Sequence, residues 1–465
     1  MSALINALFD QGMANTAEGF GAKDITTLPM QSAIKEWFAL YFTREVTETE
    51  DPCQRLPYVI VSKITKAVFA EYNANIVDAE KSAKATWMNA NRQALDAIRL
   101  DVMQWTLLGG SCFVKPVPVG AHFAFHIIRR DCFVVLGHAP DGTISSIGTI
   151  EKSKSGSLYY TLLEKRSVDG YGLLTIENKL FASTQSTNIG HRVSLQALPQ
   201  YATLPDCYTY TQPLGRLGLV YIKTPMVNAV DGSADGMSIY EPAIGLIHNI
   251  NKNERQYSDE FELGRMRIAA DREMLKSGNY GKQELKDKLF VGLEAGTGGM
   301  GLMAFAPPLR DESFVRRRQG YLKSCENIIG LKRGILSDVE ATERTATEIT
   351  SSEGEYNLTI IDFQRTWFDA LRTALTLCDK LGQLYHLCDS TGFRPQEQLS
   401  CSWGNGILYD AAKEWEEIMK MVQADMLKPE IALAWKYDLP FDTPEDCAAI
   451  REKYMPELTA MLLER

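Results

Sequence analysis

The sequence predicts an α+β fold in which helices and strands occupy separate regions of the chain. Residues 1 to about 105 and residues from 238 onward repeat apolar side chains at helical spacing. Residues 109–223 instead contain short segments rich in β-branched and aromatic residues, separated by Gly, Asp and Ser. A third observation is one apolar stripe that predicts a single helix of about 40 residues, starting at Thr345. Grouped strands flanked by grouped helices are typical of α+β proteins.

The composition is that of a folded chain without a membrane span. Of the 465 residues, 45% are hydrophobic and 23% are charged, and this length predicts about two to four structural regions. No stretch approaches about 18 consecutive apolar residues, and the N-terminus lacks the basic start of a secretory signal. The nine cysteines never form a C-x-x-C pair, so we expect reduced thiols in a cytosolic protein.

The first two regions are predicted element by element. Helical periodicity is present in MQSAIKEWFALYF, in KITKAVFAEYN and from Asn89 to Leu107. The strand-rich region then contains SCFVKPVPV, HFAFHII, CFVVLGH, GTISSIGTIEK, LYYTLLEKR and YGLLTIENKLF. Turn residues recur between these segments at a spacing of about ten residues, which indicates antiparallel strands joined by tight turns.

Helices return after this region. A helix capped by Ser238 is predicted from 238 to 263, followed by a mixed segment and by a second helix that ends at Gly330. The tail begins with a strand, LSCSWGN, and continues with the helices AAKEWEEIMKMVQADM, KPEIALAWKY and TPEDCAAIREKYMPEL.

The helix that starts at Thr345 is the most unusual predicted element. Thr345 and Glu348 form a capping box, and Gly354 is a candidate kink. At about 1.5 Å per residue, some 40 residues span roughly 60 Å, far above the average of about three turns. Its apolar stripe consists of Ile349, Tyr356, Ile360, Phe363, Trp367, Leu371, Ala374, Cys378, Leu381 and Tyr385. A polar start that leads into an apolar rod is expected of a subunit in an assembly.

Charge is distributed unevenly in a chain with a net charge of −10. The helix from Ser238 ends acidic, and the helix before Gly330 is basic. The residues concerned are Asp259, Glu260, Glu262, Arg316, Arg317 and Arg318. If the two helices run antiparallel, these faces meet within one chain or between neighbouring copies, and the alternative is two solvated faces. The overall acidity predicts that any contact with DNA is loose and local.

The strongest sign of an enzyme is GTGGMG at 296–301, a literal G-x-G-x-x-G. A dinucleotide fingerprint needs a helix that starts inside it, whereas the following LMAFAPPL is strand-like. The alternative hypothesis, a cytosolic nucleotide-binding enzyme that uses this loop, therefore has little support. The six histidines include no H-E-x-x-H pair, so we predict no catalytic residue, no cofactor and no metal site.

Three stretches together resemble portal proteins of tailed double-stranded DNA bacteriophages, of the siphophage type. The first runs from KTPMVNAVDGSADGMSIYEPA to the acidic end of the next helix and GRMRI. Its matching residues are Lys223, Pro225, Asn228, Gly236, Ser238, Tyr240, Ala243, Glu262, Gly264, Arg265, Arg267 and Ile268. The second stretch, RTATEI (Arg344–Ile349), is similar to the entry of the family's longest helix, with Arg344 where lysine is usual. The third, LGGSCFVKP (Leu108–Pro116), is similar to the family's lead into its β-rich part.

The resemblance implies a portal fold and its division into parts. The wing would cover 1–235 and the stem helices 238–263 and 310–329. The clip would cover 264–309, the tunnel loop 331–344, the long kinked helix into the wing 345–395, and the crown 396–465. In this arrangement the polar start of the long helix lies beside a channel, and its apolar turns run outward into the wing.

The resemblance also implies a function and a set of partners. Twelve subunits would form a ring around a channel through which double-stranded DNA is packaged and ejected. The terminase large subunit, the head–tail adaptor, and the major capsid and scaffolding proteins would bind the ring. The implied location is the portal vertex of the virion, and the host cytoplasm during assembly.

Two groups of residues would then line functional surfaces. The channel group would lie in the tunnel loop and its base. Its members are Lys332, Arg333, Ser337, Asp338, Glu340 and Arg344. The clip rim, where partners would dock, contains Leu293, Gly296, Gly298 and Gly301.

Overall fold

The computed structural model divides the chain into two compact units, Met1–Trp403 and Gly404–Arg465. It describes residues 19–42, 55–77, 82–214, 216–263, 267–270, 275–277, 283–285, 302–305, 308–338, 346–388, 398–403, 418–424, 426–437 and 444–454. None of the helices in these ranges combines the length and the apolarity needed to cross a membrane.

In the described residues, helices and one short strand precede the sheets, and these helices overlap the three segments with helical periodicity. They are α1 (Leu28–Phe42), α2 (Leu56–Val68), β1 (Asn73–Ile76), α3 (Ala83–Ala97) and α4 (Arg99–Gly109). Ser82 caps α3, because its side chain accepts a hydrogen bond from the Ala85 amide at 3.0 Å. The run from Asn89 to Leu107 is divided at Ile98, whose φ of −103° and ψ of 7° interrupt the helix.

The strand-rich region forms two antiparallel sheets. Its strands are β2 (Ser111–Val119), β3 (His122–Arg129), β4 (Phe133–His138), β5 (Ile144–Ser155), β6 (Leu158–Val168), β7 (Leu174–Ser183), β8 (His191–Val193), β9 (Cys207–Thr209) and β10 (Val220–Lys223). One sheet has the order β10–β2–β3, and the other has the order β4–β5–β6–β7–β8 with β9 also paired to β7. Each of the six predicted segments coincides with one of the strands β2 to β7, so this prediction is confirmed.

The described residues in the rest of the first unit form three α-helices and several short strands. They are α5 (Ile244–Leu263), β11 (Arg267–Ala270), β12 (Leu275–Ser277), β13 (Gln283–Leu285), β14 (Leu302–Phe305), α6 (Asp311–Ile329), α7 (Ala346–Leu384) and β15 (Leu399–Ser402). The prediction of one helix of about 40 residues is confirmed, since α7 has 39 residues and continues through Gly354.

The main core of this unit forms around the second half of α7, together with apolar side chains of α1 to α6 and of β2 and β10. The predicted stripe is buried at Ile360, Phe363, Trp367, Leu371, Ala374, Cys378 and Leu381. Trp367 is fully buried, and its ring meets Phe69 edge-on with 5.4 Å between the centroids. The last predicted position, Tyr385, follows the helix and is exposed. Thr345 and the side chains of Ile349 and Tyr356 lie outside the described residues.

The strand predicted at the start of the tail belongs to the first unit. β15 pairs antiparallel with β1, and Asn73 lies opposite Ser402. The unit boundary therefore lies after Trp403, whereas the sequence places the start of the crown at 396. In the second unit, α8 (Pro429–Tyr437) packs against α9 (Pro444–Tyr454), and Arg451 Nε donates to Glu430 Oε1 at 3.0 Å.

Candidate functional site

The junction that precedes α5 is built by residues of the first recognised stretch. Ser238 is buried, and its hydroxyl donates to the Leu107 carbonyl at 3.2 Å, so it does not cap the helix as predicted. The buried Tyr240 hydroxyl donates to the Trp37 carbonyl at 2.7 Å. A short 3₁₀ turn, Glu241–Ala243, follows, and α5 begins only at Ile244. These polar residues hold the start of α5 against α1 and α4.

The first and third recognised stretches touch each other at two glycines. Gly110 has a φ of +76°, and a Cβ added to it would lie 2.3 Å from the Gly236 carbonyl oxygen. A Cβ on Gly236 would lie 2.0 Å from the Gly110 carbonyl oxygen. Only glycine allows two backbones to approach this closely. Both glycines therefore have a structural role in joining β2 to the start of α5.

Helices α5 and α6 form an antiparallel pair, which we call the helical hairpin. The Tyr257 and Phe314 rings stack with 5.4 Å between their centroids, and Asn253 Nδ2 donates to the Phe314 carbonyl at 3.1 Å. Nearer the core, Ile250 and Leu322 are buried. Contacts that join later residues of α5 to earlier residues of α6 define the antiparallel direction. This supports the predicted return of the two helices.

The predicted charge pairing between the two helices occurs with altered partners. Glu260 accepts two hydrogen bonds from Arg310, at 2.9 and 2.6 Å, and these bonds lower the pKa of Glu260. Arg318 approaches Glu254 at 3.9 Å, the outer limit for an ion pair. Arg317 Nη1 donates instead to the Gln256 side-chain oxygen at 3.3 Å.

Two further members of the predicted charge set, Asp259 and Arg316, do not pair across the hairpin in this way. Asp259 and Arg316 are exposed, and no ion pair joins either of them to another of the described residues. Glu262 is also exposed. Arg310, the residue directly before α6, is not in the predicted set of paired charges, because the predicted basic cluster starts six residues later at Arg316.

Between the two helices the chain makes an excursion from 264 to 310. β11 and β14 pair antiparallel and bring its two ends together, with Arg267 opposite Phe305, while β12 and β13 form a second ladder. The predicted rim residues Leu293, Gly296, Gly298 and Gly301 lie outside the described residues. The predicted strand after GTGGMG is confirmed as β14, which begins at Leu302, directly after the last glycine. A dinucleotide fingerprint needs a helix at this point, so the strand β14 does not fit one.

The C-terminus of α6 is closed by glycine and by a buried carboxyl group. Gly330 has a φ of +75°, and the Leu331 amide donates to the Glu326 main-chain carbonyl at 2.8 Å. The Glu326 side chain turns to the residues that follow. Its Oε1 accepts from the amides of Gly334 (3.1 Å), Leu336 (2.6 Å) and Ser337 (2.9 Å).

A second residue of α6 holds the end of the same segment. Gln319 Nε2 donates to Asp338 Oδ2 at 2.6 Å, and the Asp338 amide donates to Gln319 Oε1 at 2.9 Å. Because Gln319 precedes Glu326 by two helical turns, residues 331–338 run back along α6 for about 10 Å. We call residues 331–338 the loop base.

The described part of the predicted channel group lies in the loop base. Arg333 and Asp338 are exposed, and Lys332 is half-buried. Ser337 is buried, and its hydroxyl donates to Glu326 Oε2 at 2.7 Å, so its side chain is turned towards α6. Glu340 and Arg344 lie outside the described residues. Glu326 was missed because a single glutamate near the end of a helix has no distinctive sequence pattern.

The net charge of α5 differs from that of the segment formed by α6 and the loop base. Residues 310–338 contain seven Lys or Arg and four Asp or Glu, which gives a net charge of +3. Residues 244–263 contain two Lys or Arg and four Asp or Glu, which gives a net charge of −2. The segment of α6 and the loop base is therefore basic within an acidic chain.

Elsewhere in the first unit, a cavity of about 270 Å³ lies between the two sheets. Glu164 at its wall accepts hydrogen bonds from Lys115 Nζ and Arg166 Nε, both at 2.6 Å. Burial raises the pKa of Glu164, but the charges of Arg166 and Lys115 outweigh burial and bring the pKa to about 2. Burial also raises the pKa of the Cys132 thiol at this cavity to about 12. Within the described ranges, no three His, Cys, Asp or Glu side chains converge as metal ligands would.

No family model and no curated protein matches the sequence. Among solved structures, the chain is similar to one from the neck of a native GTA particle computed with C12 symmetry. The two chains are 12% identical, and the match covers 92% of this chain and 99% of the other, with a TM-score of 0.46. A TM-score below about 0.5 does not establish a common fold.

Proposed function

We propose that this chain is a phage portal subunit, twelve copies of which form a ring around a channel for DNA. The observation that carries the proposal is the order of elements from 238 to 384. A signature stretch holds the start of α5, an excursion separates α5 from the antiparallel α6, and the loop base leads to a 39-residue helix that ends in the core. The sequence resemblance covers the same elements in the same order.

Each part of the chain has a proposed role. The part of the first unit that contains the sheets and the second half of α7 is the wing, the helical hairpin is the stem, and the excursion is the clip. The loop base begins the tunnel loop, and residues after Trp403 are the crown. A rod buried at one end and polar at the other supports this division, because it spans roughly 60 Å at about 1.5 Å per residue, from the channel to the wing core.

The charges fit a channel in which DNA slides. An acidic chain does not bind phosphate tightly, since tight binding needs many cationic contacts. The basic segment of α6 and the loop base supplies exposed cations such as Arg316 and Arg333, whose contacts with phosphate are weakened by water and salt. In the proposed ring this segment lines the channel, so that DNA is attracted locally without being held.

The proposed partners act at opposite ends of the subunit. The terminase large subunit and the head–tail adaptor bind the clip, and the major capsid and scaffolding proteins bind the wing. The ring is located at the portal vertex of the virion, after assembly in the host cytoplasm. In this role the subunit has no catalysis of its own, and ATP is hydrolysed by the separate motor.

Mass photometry of the purified protein tests the ring. Twelve chains of 52.0 kDa give a particle on the order of 600 kDa, which we expect at micromolar concentration and modest salt. A sample that contains only monomers and dimers under these conditions would contradict the proposal.

Replacement of residues 292–301 by a short Gly–Ser linker tests the clip. We expect rings of normal mass that bind the motor or the adaptor weakly, because the exposed rim is lost while the hairpin is kept. Normal partner binding would show that the rim lies elsewhere. Failure of the variant to form rings would show that these residues are needed for assembly.

A further inference from the structure

Glu326 is a fully buried carboxyl group whose hydrogen bonds all serve one short segment. Three backbone amides and one hydroxyl of residues 334–337 converge on its two oxygens, at 2.6 to 3.1 Å. Converging amides of this kind form an anion-binding nest. Here the anion is a side chain of the preceding helix, so the nest closes the loop onto α6.

We propose that Glu326 is a positioning residue that fixes the loop base to α6, so that these residues hold one conformation and move with that helix. The fixation is a property of the single chain. Its consequence for DNA rests on the proposed channel function, in which the loop base carries Lys332 and Arg333.

The backbone of the loop base is shaped for this contact. Gly334 has a φ of +94°, in the left-handed region that glycine adopts without strain. The Ile335 amide donates to the Lys332 carbonyl at 3.3 Å and closes a turn around Arg333. The turn directs the amides of residues 334, 336 and 337 to the same carboxyl oxygen. Arg333 is thereby held at the outer side of a turn whose inner side is bound to α6.

Gln319 provides a second anchor on the same face of α6. The seven residues between Gln319 and Glu326 correspond to about two turns, so both side chains project in nearly the same direction. Glu326 and Gln319 start from positions about 10 Å apart on the helix and bind consecutive residues, Ser337 and Asp338, so they fix both the position and the direction of the segment. A displacement of α6 would therefore carry Arg333 with it. This couples the stem to the entrance of the tunnel loop.

Hydrogen exchange resolved to single amides tests this role in the full-length protein. In Glu326→Gln, we expect the amides of Gly334, Leu336 and Ser337 to exchange at least about tenfold faster, because the anionic acceptor is lost. The Leu331 amide is an internal reference, since it donates to the main-chain carbonyl of Glu326 and keeps that partner. Glu312→Gln, at an exposed position of the same helix, is the matched control and should leave all four rates unchanged.

Ser337→Ala is a milder variant in case Glu326→Gln folds poorly. It removes one of the four hydrogen bonds, so we expect a smaller acceleration, of about threefold, at the same three amides. Unchanged rates at these amides in both variants would overturn the proposal. Faster exchange throughout the chain, with a lowered melting temperature, would also overturn it, since it would assign Glu326 to global stability.

Measurement of the particle mass in the same samples distinguishes a failure of this inference from a failure of the proposed function. Local acceleration in rings of about 600 kDa would support both proposals. Local acceleration in a protein that forms no rings would support the fixation by Glu326 and contradict the portal function. Rings with unchanged exchange would support the portal function and overturn the fixation.

Discussion

Two regions of this molecule, the second half of α7 and the loop base, are held in place by different kinds of contact. The second half of α7 is held by a continuous apolar stripe in which Phe363, Trp367 and Leu371 are at most 1% exposed. The loop base at the end of α6 is held by two side chains, Glu326 and Gln319, through separate hydrogen bonds. The packing around α7 is stabilised by many contacts between large buried side chains. The loop base depends instead on a few individual hydrogen bonds.

This difference has a functional meaning in the proposed ring. A wing that anchors the subunit in a capsid needs a core that stays packed, and large buried side chains supply it. A channel surface must stay polar and next to water, where apolar packing is not available. Discrete hydrogen bonds donated to a buried carboxyl group can fix such a surface without covering it. The following changes test the two arrangements against each other, in order of expected effect.

The largest effect is expected in the core around α7. Trp367→Ala removes a fully buried ring that packs on Phe69, and large-to-small changes of this kind cost about 3–5 kcal/mol. We expect a strong loss of unfolding free energy in urea, or insoluble protein. Leu358→Ala, on the same helix at a position 64% exposed, is the control and should have little effect. Equal losses for both variants would show that α7 is not organised around its stripe.

Glu164, a buried carboxyl group in the sheets, is held by ion pairs with Lys115 and Arg166. The pKa of Glu164 is about 2 in the folded chain and about 4.5 when unperturbed, so the group stabilises the fold above pH 4.5. This contribution is lost as the pH falls from about 4.5 towards 2, and it corresponds to roughly 3 kcal/mol at about 1.4 kcal/mol per pKa unit. Glu164→Gln should therefore be destabilised at pH 7, and its unfolding free energy should depend less on pH below 5. An identical pH dependence in both proteins would contradict the assignment.

A smaller effect is expected at the end of α6. Gly330→Ala places a Cβ in the left-handed region, 2.7 Å from the Thr359 hydroxyl oxygen, and should cost about 1–2 kcal/mol. Gly320→Ala is the matched control in the same helix, because no atom lies within 4 Å of its added Cβ. The control should stabilise α6 by up to about 1 kcal/mol, since alanine favours helix. Thermal unfolding of both variants measures the difference, and equal shifts would show that Gly330 has no special conformation.

The smallest effect is expected at the outer end of the hairpin. Arg310→Gln removes both hydrogen bonds to Glu260, but Arg310 is exposed, and the pair is screened by salt. We expect an unchanged urea midpoint and unchanged ring mass at physiological salt. A clear loss of either would show that this end of the hairpin is held by charge, in contrast to our account of packed rings at Tyr257 and Phe314.

The sequence predicted the regular elements better than the loop base, for a physical reason. The stripe from Ile360 to Leu381 repeats apolar residues at helical spacing, and its burial follows this period. The six strands are indicated by β-branched and aromatic residues between turn residues. The contact between Gly110 and Gly236 joins residues that are far apart in the chain, so no local pattern encodes it. Ser238 precedes α5 as a cap would, but tertiary contacts bind its hydroxyl to Leu107. Glu326 likewise differs from other helical glutamates only through the loop that folds onto it.

A cryo-EM reconstruction of the purified particle tests the central claim most directly, because it shows both the ring and the surface that faces its channel. We predict a closed ring with an open centre, in which α6 and the loop base line the channel and the sheets lie at the outer rim. A particle without a central channel, or a ring in which the loop base lies on the outer surface, would contradict the account.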